Sequence, residues 1–168
     1  MVPVIILLLS IIIDGVLTNF LPYLVNNLSY FTPLFTVTSI FLIYPFYRKN
    51  KRLYFITLFI TGFIYDLFYT NLLFYNGVLF VIIGLITYLL YKNFEVNFFK
   101  LIIYIILIII SYESINALLL LIYNVVPITT SKIVYKISHS LIINVIYGEI
   151  VYLIIKKLPK KYKQISIN

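Results

Sequence analysis

The sequence predicts an all-α, polytopic membrane protein with six transmembrane helices, and three observations predict it. Hydrophobic residues make up 63% of the chain and charged residues only 11%, where soluble domains carry roughly a quarter. The apolar residues fall in continuous runs long enough for helices, not in the alternating stretches of about ten residues that build a transmembrane barrel. The basic residues gather at the edges of those runs, where they set topology.

The first run, 2–21, begins without a basic n-region, carries Asp14 in its interior and has no small-residue exit. It is therefore expected to stay in the membrane as a helix and not to act as a signal peptide. A short loop with Pro22, Asn26 and Asn27 leads to the second span, 31–47, which has Pro33 and Pro45 near its ends and stops at Arg48, Lys49, Lys51 and Arg52. The third span is 53–69. The stretch 70–76 reads as a turn, and the fourth span, 77–91, is short at 1.5 Å per residue. Residues 92–100 read as a loop, 101–123 as the fifth span, 124–136 as a loop and 137–155 as the sixth span. A basic tail occupies 156–168. No internal repeat is evident, and there is no soluble domain.

With the N-terminus inside, segments 48–52, 92–100 and 156–168 hold four, two and five Lys or Arg, eleven of the thirteen, and the outer loops hold only Lys132 and Lys136. That asymmetry predicts six crossings with both termini cytoplasmic. The net charge of +8 is thus a topology signal and implies no nucleic-acid partner. The tail and the Arg48–Arg52 cluster suit anionic lipid at about 1 kcal/mol per charge, although anchoring alone explains them.

The chain has no cysteine, which excludes disulfides, thiolate metal sites and cysteine nucleophiles. It has no H-E-x-x-H, G-x-S-x-G or Walker A motif, and one histidine makes no metal cluster. No catalytic residue, metal or cofactor is expected. The informative residues are the acids. Of five, four (Asp14, Asp66, Glu113 and Glu149) lie inside apolar runs, where a carboxylate costs roughly 2.5–3.5 kcal/mol on insertion scales. No Lys or Arg lies deep in any span, so the acids are expected to bond one another and nearby Ser and Asn groups, or to lie near water.

Asp66 follows Gly62 by one helical turn, so both share a face. The missing side chain at Gly62 lets a neighbouring backbone come close, and the carboxyl beside Tyr65 then meets that neighbour. Glu113, Asn116 and Ala117 share another face. His139, Ser140, Asn144, Gly148 and Glu149 form a polar streak on the last span, with Ser140, Asn144 and Gly148 spaced for close packing. His139 alone reads as a hydrogen-bonded packing histidine more than a proton relay.

The run Gly62-x-x-x-Asp66, a turn through Thr70 and Asn71, then Gly77 and a span with Gly84, resembles the MreD family of bacterial rod-shape-determining membrane proteins. The glycine after the acid comes later here than in many members. The acid in the first span, the length and the basic tail also fit. The resemblance implies a non-enzymatic membrane scaffold of cell elongation and peptidoglycan synthesis, in the cytoplasmic membrane. Its partners would be an MreC-like protein, an MreB-like filament, a RodA-like glycosyltransferase and a penicillin-binding transpeptidase. It also implies a fold similar to the S-components of energy-coupling-factor transporters, which supplies an alternative function: vitamin binding. A scaffold should have a filled interior, with Asp66 and Gly62 facing a partner or organising the core. An S-component should have an outer cavity and Ala-x-x-x-Ala docking faces, and this chain has a single alanine. A proton-coupled carrier using the four acids is a third reading.

Overall fold

The computed structural model describes residues 2–24, 32–70, 72–93, 98–122 and 130–158, and every element in them is helical. The order is α1 (Val2–Leu24), α2 (Phe35–Ile43) continuing into a 3-10 turn (Tyr44–Tyr47), α3 (Lys51–Tyr69), α4 (Tyr75–Asn93), α5 (Phe98–Ile122) and α6 (Thr130–Lys157). Four segments, Lys51–Tyr69, Tyr75–Lys92, Phe99–Ile122 and Ile133–Lys157, are long and apolar enough to cross a membrane. The loop residues Asn26 and Asn27, Asn71 of the turn, Pro127 and Thr129, and the tail lysines beyond 158 lie outside the described residues.

Helix α1 runs through Pro22, read as loop, to Leu24, and α5 starts at Phe98, inside the stretch read as a loop; two further elements differ more. Helix α6 starts at Thr130, so Lys132 and Lys136 stand on its first turns and not in a loop. The second apolar segment is short: nine α-helical and four 3-10 residues, or roughly 20–22 Å at 1.5–2.0 Å per residue. A hydrocarbon core of about 30 Å is longer than that. Pro45, lacking an N–H, sits in the first positions of the 3-10 turn, where the loss of a donor is tolerated.

This short helix is the centre of the molecule. All nine α2 residues are buried, and α1, α4, α5 and α6 all contact it. The hairpin pairs α1/α2, α3/α4 and α5/α6 pack as neighbours around it. Polar bonds fasten it on several sides. The Tyr54 hydroxyl donates to the Ile40 carbonyl at 3.0 Å. Ser10, Ser39 and Tyr147 place three hydroxyls within 2.6–2.8 Å of one another, tying α1, α2 and α6. Such bonds outweigh added apolar contact inside a membrane, because lipid tails compete equally for apolar surface.

The basic residues Arg48, Lys49, Lys51 and Arg52 lie exposed where α2 ends and α3 begins, and Lys51 reaches the Tyr88 hydroxyl of α4 at 3.1 Å. Lys92, Lys156 and Lys157 occupy the last turns of α4 and α6, where cations suit the helix dipole. Aromatic rings cluster just inside this end, Phe41 with Tyr91 at 4.9 Å and Tyr44 with Tyr54 at 5.2 Å.

Glycines set how closely the helices approach. A Cβ on Gly62 would fall inside the backbone of Asn76 and Gly77, whereas one on Gly77 would meet Phe59 at 3.4 Å, close to ordinary contact. Gly62→Ala is therefore expected to push α3 from α4 and cost about 1–3 kcal/mol, and Gly77→Ala clearly less. Thermal unfolding of both variants in detergent checks the order.

Candidate functional site

Asp14, Asp66 and Glu113 gather at the end of the bundle away from the basic cluster, and the geometry of the two aspartates explains why they are there. Asp14, midway along α1 and only 2% exposed, points its carboxylate at the start of α2. Oδ1 accepts from the Phe35 N–H at 2.8 Å. Oδ2 accepts from the Thr36 N–H at 2.9 Å and the Thr36 hydroxyl at 2.7 Å. Leu34, the residue before α2, offers no side-chain cap of its own. Asn144 of α6 completes the job: its Oδ1 accepts from the Leu34 N–H at 2.8 Å, and its Nδ2 donates to the carbonyls of Thr32 and Ser140. The first amides of any helix lack internal partners, and at membrane depth there is no water to supply them.

Asp66 does the same for α4. It accepts from the Asn76 N–H at 2.9 Å, the Asn76 side-chain amide at 2.8 Å and the Thr70 hydroxyl at 2.7 Å, with the Gly77 N–H at 3.4 Å. The intervening turn is tight: Phe74 takes φ 66°, a left-handed conformation costing a bulky residue about 1–2 kcal/mol, and its ring stacks on Phe63 at 5.1 Å. The acids thus bond the backbone of the next helix, not one another as expected. Both belong to an Asp-x-x-x-Thr-Asn unit, Asp14 to Asn19 and Asp66 to Asn71. Hydropathy hides that repeat, since both copies lie within apolar runs.

Glu113 on α5 is 4% exposed, beside Asn116 and under the attraction of Lys136 from α6. The sequence reading had no cation to offer it, because Lys136 was placed in a loop. Asn116 Oδ1 accepts from the Tyr75 hydroxyl at 2.6 Å, linking α5 to α4. Ala117, one residue on, is buried too. Tyr69 donates to the Ile11 carbonyl at 2.9 Å, its ring lying against Gly15 where any Cβ would overlap it.

Between α1, α3, α4 and α5 these residues leave a cavity of about 540 Å³, open on one side and lined by Asp14, Tyr65, Tyr69, Tyr75, Tyr112 and Asn116 among others. The interior is therefore not fully filled, contrary to the expectation for a scaffold.

His139 and Glu149 stand apart from this group. His139 is half-buried, with Nδ1 2.7 Å from the Tyr135 carbonyl and its ring stacked on Tyr135 at 3.8 Å. It packs on its own helix. Glu149 is half-buried and has no hydrogen-bond or ionic partner among the described residues. On the outer side of α6, an apolar groove of about 540 Å³ runs between it and α1, lined by Ile5, Leu9, Ile13, Ile150, Val151 and Ile154 among others. It exists because both helices pack on α2 more than on each other. Among the described residues no group of three or more His, Cys, Asp or Glu could hold a metal ion.

The family model described as rod shape-determining protein MreD matches residues 1–162, well beyond the stretch from Gly62 to Gly84 that carries the motif. No curated protein and no solved structure matches the chain.

The two caps generate a prediction. Asp14→Ala strands two buried N–H groups and a hydroxyl, at about 1–3 kcal/mol per unsatisfied group. It is expected to destabilise the protein by at least ~2 kcal/mol and to speed amide exchange at Phe35 and Thr36. Glu149→Gln, which breaks no internal bond, is expected to stay within ~0.5 kcal/mol. Denaturant titration in detergent compares them.

Proposed function

The chain belongs to the rod shape-determining protein MreD family, and from that premise we propose that it is a non-enzymatic scaffold of the cell-elongation complex that holds an MreC-like partner. Rod-shape determination and residence in the cytoplasmic membrane follow from the family and the four long apolar helices. The partner, the scaffold role and the orientation with both termini cytoplasmic are our reading. It extends to an MreB-like filament, a RodA-like glycosyltransferase and a penicillin-binding transpeptidase as further members of the complex.

One observation carries the scaffold reading: the buried acids are consumed in holding the chain's own helices together. Asp14 and Asp66 each accept three or more hydrogen bonds within 3.1 Å from backbone and side-chain donors, which leaves them poorly placed to shuttle protons or activate a substrate. Asp66 and Gly62 take the core-organising role. The partner-facing role passes to α6, which contributes half of the apolar groove and carries Glu149 without an internal partner. A single apolar helix from an MreC-like protein fits such a groove, while Glu149 lies on another face of α6, outside the groove lining.

The cavity favours a second reading, the vitamin-binding S-component, since such a protein needs a recess at one membrane face. The single alanine leaves that reading without small-residue faces for an energising module.

Ile150→Trp fills the groove from its lipid side and is expected to cut recovery of a co-expressed, tagged MreC-like partner several-fold, with the chain's own membrane level unchanged. Asp66→Leu is expected to lower that level itself. Full recovery of partner with Ile150→Trp would remove the groove from the proposal.

A further inference from the structure

We propose that the cavity between α1, α3, α4 and α5 binds a neutral glycosyl group, carried on a lipid headgroup or free. Its volume of about 540 Å³ falls within the roughly 300–1,000 Å³ of small-ligand sites. The lining is aromatic and hydroxylic. Tyr112 is only 8% exposed, yet its hydroxyl meets no hydrogen-bond partner among the described residues, and the same holds for the hydroxyl of neighbouring Tyr65. Thr87 Oγ1 is the only buried side-chain polar atom without a partner among the described residues, so both phenol oxygens stand open to the cavity and are left to water or a ligand. Two left open side by side on one cavity point to groups supplied by a ligand.

Charge narrows the ligand. Among the described residues no Lys or Arg lines the cavity, so a phosphate or carboxylate would enter without a counter-charge, a costly burial. The one carboxylate on its wall, Asp14, is already turned to Phe35 and Thr36, so a cation gains little. What remains are phenol hydroxyls, the Asn116 amide and tyrosine ring faces. A sugar ring matches that set: its hydroxyls donate and accept, and its C–H face packs on aromatic rings. The α1/α6 groove offers almost no polar lining and suits no such ligand. Phe68 and Leu72, well exposed, line the rim, so a lipid-linked sugar has apolar surface along which to approach. This inference is independent of the scaffold reading, whose partner sits on another face.

The test uses the full chain in phosphatidylcholine nanodiscs, doped with either glucosyl diacylglycerol or phosphatidylglycerol, and read by native mass spectrometry for retained lipid. Retention of the glucosyl lipid several-fold above phosphatidylglycerol is expected. Tyr65→Phe with Tyr112→Phe should lower it about tenfold, as two hydrogen bonds are lost, with unchanged melting temperature and partner recovery. If that pair impairs folding, Tyr65→Phe alone, at a half-buried position, is expected to lower retention about threefold. Free glucose that raises the melting temperature, an effect abolished by Tyr65→Phe, would assign the site to a soluble sugar; response to the lipid alone would assign it to a headgroup. Equal retention of both lipids, preference for phosphatidylglycerol, or full retention by well-folded Tyr-to-Phe variants would overturn the proposal.

Discussion

A helix that begins inside a bilayer exposes amide hydrogens where no water can reach them, and much of this molecule follows from how it meets that constraint. Helix α2 starts at the level of Asp14, midway along α1, and α4 starts at the level of Asp66 near the end of α3. Each carboxylate brings two acceptor oxygens and a negative charge to the positive end of a helix, so one side chain satisfies several donors and the dipole together. A neutral amide would bring one acceptor and an unwanted donor. The insertion cost of the acid is offset because the alternative, bare N–H groups in hydrocarbon, is also costly. Once α2 is anchored in this way it can be short and wholly enclosed, and the other helices assemble on it through Ser10, Ser39, Tyr54, Asn144 and Tyr147.

Much of the helical layout was legible because hydropathy in a membrane chain is close to a direct record of which backbone lies in lipid. The Gly62–Asp66 pairing was legible as well, since a glycine one turn before an acid leaves space for what the acid must meet. Other features were hidden for physical reasons. Asp14 meets residues 21 and 22 positions later, across a loop whose path no periodicity encodes. The shortness of α2 leaves no mark, because a buried half-helix and a crossing helix have the same composition. Helix α6 begins among Ser131, Lys132 and Lys136, polar residues that read as loop by hydropathy although nothing in them breaks a helix. The cavity depends on how far α1 and α5 stand apart at one end, a property of packing distances and not of any single residue.

The two ends of the bundle are chemically unlike, and the difference has one origin. Where α2 ends, its carbonyls and those of α4 and α6 face a rim of Lys and Arg beneath a layer of tyrosines. Where α2 begins, the polar groups are inside the bundle, spent on Asp14, Asn144 and Asp66. The Asp-x-x-x-Thr-Asn unit recurs in the first two hairpins, and in both the acid caps the return helix. In the third, Glu113 instead lies beside Asn116 and feels the charge of Lys136. The tyrosine-lined recess between α1 and α5 lies at this same end.

Recognition of a partner within the bilayer has to be argued from what the fold leaves unused. Apolar side chains in the α1/α6 groove gain little by exchanging lipid for a protein helix, since both are equally apolar. Close packing and polar contacts must supply the preference. Asp14, Asp66, Ser39 and Asn144 are already engaged and contribute shape only. Glu149 has no hydrogen-bond or ionic partner among the described residues, and it lies on α6 beside, not within, the groove lining. Specificity for a partner helix therefore concentrates on α6, while the interior acids set the geometry on which α6 is held.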